Sequence, residues 1–137
     1  MVLFAGSLFE FTKFVLYFVP GFMIIPTGRD AIAPGYPLMP GDDKLFPAMT
    51  GEHPSKGTFM WRVFGINFVT LSIIKIWCVS MGVAAMSWFI LFAVYGTIAT
   101  GLLIYYKPDF DSKGADISPF LALFALETIA YYLTILM

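Results

Sequence analysis

The sequence has very little charge. Charged residues make up 12% of its 137 residues and hydrophobic residues 59%, whereas a soluble domain carries about 25% charged residues. A net charge of −1 also lacks the basic excess that nucleic-acid-binding surfaces need, which argues against a nucleic-acid partner. Together with a mean hydropathy of +0.83, this composition predicts a chain that lies in a lipid bilayer.

The residues that build catalytic and metal sites are also scarce. Cys78 is the single cysteine and His53 the single histidine. An intrachain disulfide is therefore excluded, and a transition-metal site of the usual His and Cys kind is not expected. The sequence has no Gly-rich phosphate loop, paired-carboxylate motif or nucleophile beside a base. We therefore predict that the protein is not an enzyme and has no metal site of its own.

The sequence contains four long apolar runs. Each run approaches or exceeds the ~20 residues that a helix needs to cross a hydrocarbon core of ~30 Å. Only residues 80–82 separate the second run from the third, so these two helices should form an antiparallel hairpin. The sequence predicts an all-α, polytopic integral membrane protein, with one transmembrane domain over residues 1–137 and four helices in an antiparallel bundle. The predicted helices are 2–25, 59–81, 83–106 and 117–137.

Proline and glycine interrupt this pattern. Pro20 and Gly21 predict a kink or an end in the first helix, and Pro108 predicts an end to the third. Residues 26–57 contain six prolines and five glycines, which predicts a long surface loop without regular structure. Apolar residues recur in that loop, so it should lie ordered against the membrane surface or a partner. Lysines and arginines place this loop and the 107–116 loop on the cytoplasmic, stromal or matrix side, with both termini opposite.

Small residues recur at helical spacing in the second and third runs. Such faces let helices pack closely in lipid, and we favour this interpretation over a substrate path. The two predicted packing faces are Gly65, Val69, Ser72 and Ile76 in the second run, and Ala85, Ala93, Thr97 and Gly101, with Gly96 and Thr100 beside them, in the third.

Glu127 requires the most explanation, because it lies near the middle of the last run. A carboxyl group there should be protonated, paired with Lys75 or Lys13, or coordinated to a cofactor. Aromatic residues make up 18% of the chain and pack well against flat, rigid neighbours such as helices, sterols, carotenoids or chlorophylls. The candidate axial ligands for a chlorophyll magnesium are Glu10, His53, Asn67 and Glu127.

The second run resembles a known family. The residues that carry the likeness are Arg62, Phe64-Gly65-Ile66, Ser72, Ile74-Lys75 and Cys78. In this stretch the chain resembles the second helix of the Erg28 family of small endoplasmic-reticulum proteins, which are similar in topology to the DoxX-like four-helix group. The likeness covers residues 62–78 and implies a non-catalytic membrane tether.

Two hypotheses for function follow. The first is a non-catalytic accessory or scaffold subunit of a larger membrane complex. A photosystem with its antenna or a respiratory complex would be the setting, in a thylakoid or mitochondrial inner membrane. Its partners would be other membrane subunits and the bilayer, and its cofactors chlorophyll, carotenoid or lipid. The alternative is an Erg28- or DoxX-like tether, or a lipid- or sterol-binding module, in the endoplasmic reticulum.

Overall fold

The computed structural model describes residues 2–32, 55–112 and 117–136, and in these ranges the secondary structure is helical, with no strand. Each of the four long helices contains a stretch long and apolar enough to cross a membrane. The all-helical prediction is confirmed for these residues, and the four helices fit an integral membrane protein. In chain order the elements are α1 (Val2–Ile32), α2 (Ser55–Met81), a 3-10 turn (Gly82–Ala85), α3 (Met86–Ser112) and α4 (Ser118–Leu136).

Helix α1 is longer than predicted, and the end predicted at residue 25 is wrong. The helix continues through Pro20 and Pro26 to Ile32. A proline removes one backbone hydrogen bond, but neighbouring helices and Thr side chains can compensate inside a membrane. The Thr27 hydroxyl donates to the carbonyl of Met23 at 2.6 Å, next to Pro26. Packing against α2 therefore holds a segment that its proline and glycine content predicted to be a loop.

Other predicted boundaries also shift. Helix α2 begins at Ser55 rather than residue 59, so both ends of the predicted 26–57 loop are helical; its centre, 33–54, lies outside the described residues. Helix α3 passes through Pro108 and ends at Ser112, where Lys107 donates to Asp111 at 2.8 Å. The turn before α3 begins at Gly82, whose φ of 63° is a left-handed conformation that favours glycine.

The closely packed helix pairs in the described part of the chain are α1 with α2, α3 with α4, and α1 with α4. Glycines allow the close approach of α1 to α2 and of α3 to α4. A Cβ on Gly65 would lie 2.5 Å from the nitrogen of Ala31 and from the carbonyl oxygen of Thr27. A Cβ on Gly96 would collide with the side chain of Thr128. At Gly65 and Gly96 the helix backbone therefore lies directly against the neighbouring helix.

The predicted packing face of α2 is confirmed at Gly65 and Ser72, which are both buried. The predicted face of α3 is only partly right. Ala85 and Ala93 are buried, but Thr97 and Gly101 are exposed. Gly96, predicted beside this face, is buried against Thr128 of α4, and the Thr97 hydroxyl reaches the hydroxyl of Tyr132 on α4.

Large apolar side chains cover the outside of the helices. Three of the most exposed are Tyr105 at 75%, Trp77 at 65% and Phe14 at 63%. Isolated apolar residues are normal on a soluble protein, but broad apolar surfaces mark contact with a membrane or another protein. The inner face holds a mixed aliphatic and aromatic core: Val15, Leu16, Val19, Met23, Cys78, Val79, Ala85, Phe89, Phe92, Ala93, Phe120, Ala130 and Tyr131.

Candidate functional site

Lys75 and Glu127 form a buried ion pair between α2 and α4. The ammonium group of Lys75 donates to Oε1 of Glu127, and the two side chains are only 4% and 6% exposed. An isolated charge in a membrane interior is costly, whereas a paired one is tolerated. The sequence left Lys75 and Lys13 open as partners for Glu127, and the structure selects Lys75.

Helix α3 contributes aromatic rings to the same ammonium group. Nζ of Lys75 lies 5.8 Å from the ring centroid of Phe92 and 5.4 Å from that of Tyr95. At these distances the negative face of a ring attracts a cation, and the attraction is stronger where water is excluded. Lys75 therefore extends from α2 to groups on both α3 and α4.

An apolar wall encloses the pair on its other side. Phe68 of α2 and Phe124 of α4 meet edge to face, with ring centroids 5.9 Å apart and ring planes at 88°. The space between these rings and the ion pair has no room for a water molecule. The pair therefore lies in a dry region of low dielectric constant, where opposite charges attract strongly. The other lining residues are Val19, Pro20, Met23, Ser72 and Leu123.

Tyr131 is part of this region, and the sequence analysis missed it. It lies one helical turn after Glu127 and is 1% exposed. Its ring packs 5.9 Å from Phe89 and 5.5 Å from Phe92, measured between centroids. Its hydroxyl is buried without a hydrogen-bond partner in the described part of the chain, an arrangement that costs about 1–3 kcal/mol. The spacing of four residues from Glu127 is the one sequence signal that could have drawn attention to it.

The structure does not bring the four candidate ligands together. Glu127 is buried and paired, whereas Glu10 and Asn67 are exposed on α1 and α2. His53 lies outside the described residues. Among the residues that are described, no three His, Cys, Asp or Glu side chains form a group that could hold a metal ion. The axial-ligand role stays a prediction, and at Glu127 a magnesium would compete with Lys75 for the carboxylate.

The chemistry that this arrangement supports is electrostatic attachment. One cation and one carboxylate cancel, so the bundle interior carries no net charge at this point. Removing either group would leave the other buried and unbalanced. The pair therefore links α2 to α4, and through the rings of Phe92 and Tyr95 to α3.

Comparison of this chain with protein-family models, with curated proteins and with solved structures finds no match. The resemblance of residues 62–78 to the Erg28 family stays a prediction from the sequence. The geometry of the helices is therefore the basis for assigning a function.

Proposed function

We propose that the chain crosses a bilayer as an antiparallel bundle of four helices and acts as a non-catalytic accessory or scaffold subunit of a larger membrane complex. One contrast carries the proposal. Lys75 and Glu127, two of the buried charged residues, neutralise each other within the chain, while broad aromatic and aliphatic faces point outward. A surface of this kind suits binding to other apolar surfaces.

Aromatic residues at two levels support the membrane crossing. Trp77 and Trp88 are exposed on either side of the turn between α2 and α3, and Tyr105 and Tyr106 are exposed near the other end of α3. Tryptophan and tyrosine concentrate at the two interfaces between membrane and water. The helix from Trp88 to Tyr105 rises about 26 Å at 1.5 Å per residue, close to the ~30 Å thickness of a hydrocarbon core.

The order of contacts supports antiparallel packing of α1 and α2. Near the start of α2, Arg62 donates to the carbonyl of Ala31 at 3.3 Å. Further along α2, Ser72 lines the same narrow space as Val19 and Pro20. Later residues of α2 therefore lie beside earlier residues of α1, as expected for antiparallel helices.

The outer face of α1 suits a flat, rigid neighbour. Phe14 stacks on Phe18 with centroids 5.6 Å apart and planes at 13°, and Phe18 stacks on Phe22 at 5.9 Å and 21°. Phe14 and Phe18 are 63% and 48% exposed. We call these three rings the phenylalanine ladder. Stacked rings offer a stiff apolar surface to a helix, a carotenoid or a chlorophyll, which favours an organellar complex as the setting.

The experiment is native purification from the membranes of the cells that make the protein, in mild detergent. Mass spectrometry identifies co-purifying subunits, and an absorbance spectrum detects pigment. We expect a membrane protein in fixed ratio to the chain, and bound chlorophyll or carotenoid would support the photosynthetic setting. Bound sterol together with enzymes of lipid synthesis would favour the Erg28-like tether instead.

A matched pair of variants makes this test specific. Phe14→Ala with Phe18→Ala removes the two exposed rings of the phenylalanine ladder and should release the partner. Ile129→Ala with Leu136→Ala removes two exposed side chains from α4 and should not. Recovery of the parent protein without any protein partner would reject the accessory role.

A further inference from the structure

The four helices separate into two units, which we call the first pair (α1 with α2) and the second pair (α3 with α4). Gly65 brings the backbones of the first pair together. In the second pair Gly96 lies against the side chain of Thr128, and the hydroxyls of Thr97 and Tyr132 are 2.8 Å apart across α3 and α4. Each pair is therefore held internally by close approach of its own helices.

The first pair of helices contacts the second pair in two different ways. On one side α1 packs closely on α4. On the other side, α2 is not closely packed on α3 or α4 in the described part of the chain. Lys75 bridges that side, because its ammonium group reaches Glu127 of α4 and the rings of Phe92 and Tyr95 of α3. The edge-to-face contact of Phe68 with Phe124 also joins α2 to α4, so side chains do here what close backbone packing does on the α1–α4 side.

The lipid around the helices makes the difference between these two kinds of contact important. Lipid is as apolar as the helix faces, so the hydrophobic effect does not oppose their separation inside a bilayer. Separating Lys75 from Glu127, by contrast, would leave two charges in hydrocarbon. Lipid can replace the apolar contact of Phe68 with Phe124 but not the ion pair. The α2 side of the bundle should therefore depend on the Lys75–Glu127 ion pair far more than the α1–α4 side does.

The described link between the pairs is short and contains a backbone point of rotation. Residues Gly82–Ala85 form a single 3-10 turn, and Gly82 has a positive φ of 63°. Hinges are formed by a few residues at element ends that absorb changes in φ and ψ. The turn begins seven residues after Lys75, so a small rotation there moves α2 relative to α3 at the level of the ion pair.

We propose that the bundle is a two-part clamp that Lys75 holds closed. The second pair turns about the α1–α4 contact and the Gly82–Ala85 turn, and the bond from Lys75 to Glu127 is the latch. When the latch opens, the space between α2 and α3 admits lipid. This inference rests on the proposed membrane crossing but not on the accessory role, because it concerns motion within one chain.

Pulsed electron-electron resonance distances in lipid nanodiscs test the clamp. Spin labels on introduced cysteines, in a background with Cys78→Ala, report three distances from side chains that are exposed. The labelled positions are Ile73 with Ile98 between the pairs, Ile25 with Ile66 within the first pair, and Ile98 with Ile129 within the second.

Lys75→Met should broaden the distance distribution between the pairs and shift it to longer values, while both distributions within a pair stay unchanged. Lys75→Arg keeps the cation and should retain the parent distribution. Lys107→Met is the matched control, since it removes a lysine from an exposed pair on α3, and should change none of the three distances. If Lys75→Met does not fold, Lys75→Met combined with Glu127→Leu removes the latch and leaves no unpaired charge at this site.

Two results would overturn the clamp. A narrow, unshifted distance between the pairs in the variant that loses the latch would show that Lys75 does not hold them. Equal broadening of all three distances would show general loosening of the bundle rather than opening along one side.

Discussion

Glu127→Leu is the change from which the structure gives the clearest energetic expectation. It removes the carboxylate and leaves the Lys75 ammonium in a site where its side chain is 4% exposed. Breaking a buried pair by removing one partner costs about 3–5 kcal/mol, and a lone charge at a membrane centre costs about 2.5–3.5 kcal/mol on insertion scales. We therefore expect a loss of about 3 kcal/mol or more in the free energy of unfolding.

Two further variants distinguish the effect of losing the charge from the effect of changing the side-chain shape on the free energy of unfolding. Glu127→Gln keeps an acceptor oxygen, and a hydrogen bond to a charged group contributes about 1.5–3 kcal/mol, so this variant should lose only about 2 kcal/mol. Lys75→Met combined with Glu127→Leu leaves no charge at this site. Replacing both members of a buried pair with apolar residues is often neutral or stabilising, so the double variant should recover most of the stability that Glu127→Leu loses.

The assay is reversible unfolding in mixed micelles as the fraction of denaturing detergent rises, followed by tryptophan fluorescence. Asp111→Asn is the matched control. It breaks the Lys107–Asp111 pair, whose side chains are 34% and 49% exposed, and should change stability by less than about 0.5 kcal/mol. A Glu127→Leu protein as stable as the parent would refute the reasoning. So would a double variant that loses the full sum of the two single losses.

Three further predictions concern packing and topology. Gly65→Ala places a Cβ 2.5 Å from backbone atoms of α1 and should lower the free energy of unfolding by about 1–3 kcal/mol in the same assay. At Gly101 a Cβ would meet nothing within 4 Å, so Gly101→Ala should be neutral or slightly stabilising. Equal losses in the two variants would contradict the packing. Tyr132→Phe removes a 2.8 Å hydrogen bond between α3 and α4 and should cost about 0.6 kcal/mol, and an unchanged stability would show that this bond contributes nothing. Cysteines introduced at Ala84 and Ser112, in a background without the native cysteine, should react with impermeant reagents from opposite sides of the membrane, and labelling of both from one side would exclude the crossing of α3.

The sequence predicts the helices because length and hydropathy decide what can cross a bilayer. It also predicts the close approach at Gly65, because only small residues permit one. Helix ends are harder to predict, since propensity is local and packing is not. Pro20 and Pro26 predicted an early end to α1, yet contact with α2 maintains the helix to Ile32.

The candidate site is predictable only in part, for a related reason. Sequence position gives the depth of Glu127 in its helix but not which helices are its neighbours. Lys75 and Lys13 were therefore equally acceptable partners until the packing was known. Tyr131 was missed because aromatic residues occur on both inward and outward faces of these helices, so an aromatic residue alone does not distinguish the two.

The ion pair has a consequence for the order in which the protein is made. Lys75 precedes Glu127 by 52 residues, and ribosomes add roughly 5–20 residues per second. The lysine is therefore synthesised about 3–10 s before the carboxylate that neutralises it. During this interval the α2–α3 hairpin carries an uncompensated cation, which favours a shallow position near the headgroups. In the proposed membrane crossing, full insertion of α2 thus depends on the synthesis of α4, and nascent chains that end at Ser112 should keep Lys75 accessible from the aqueous side.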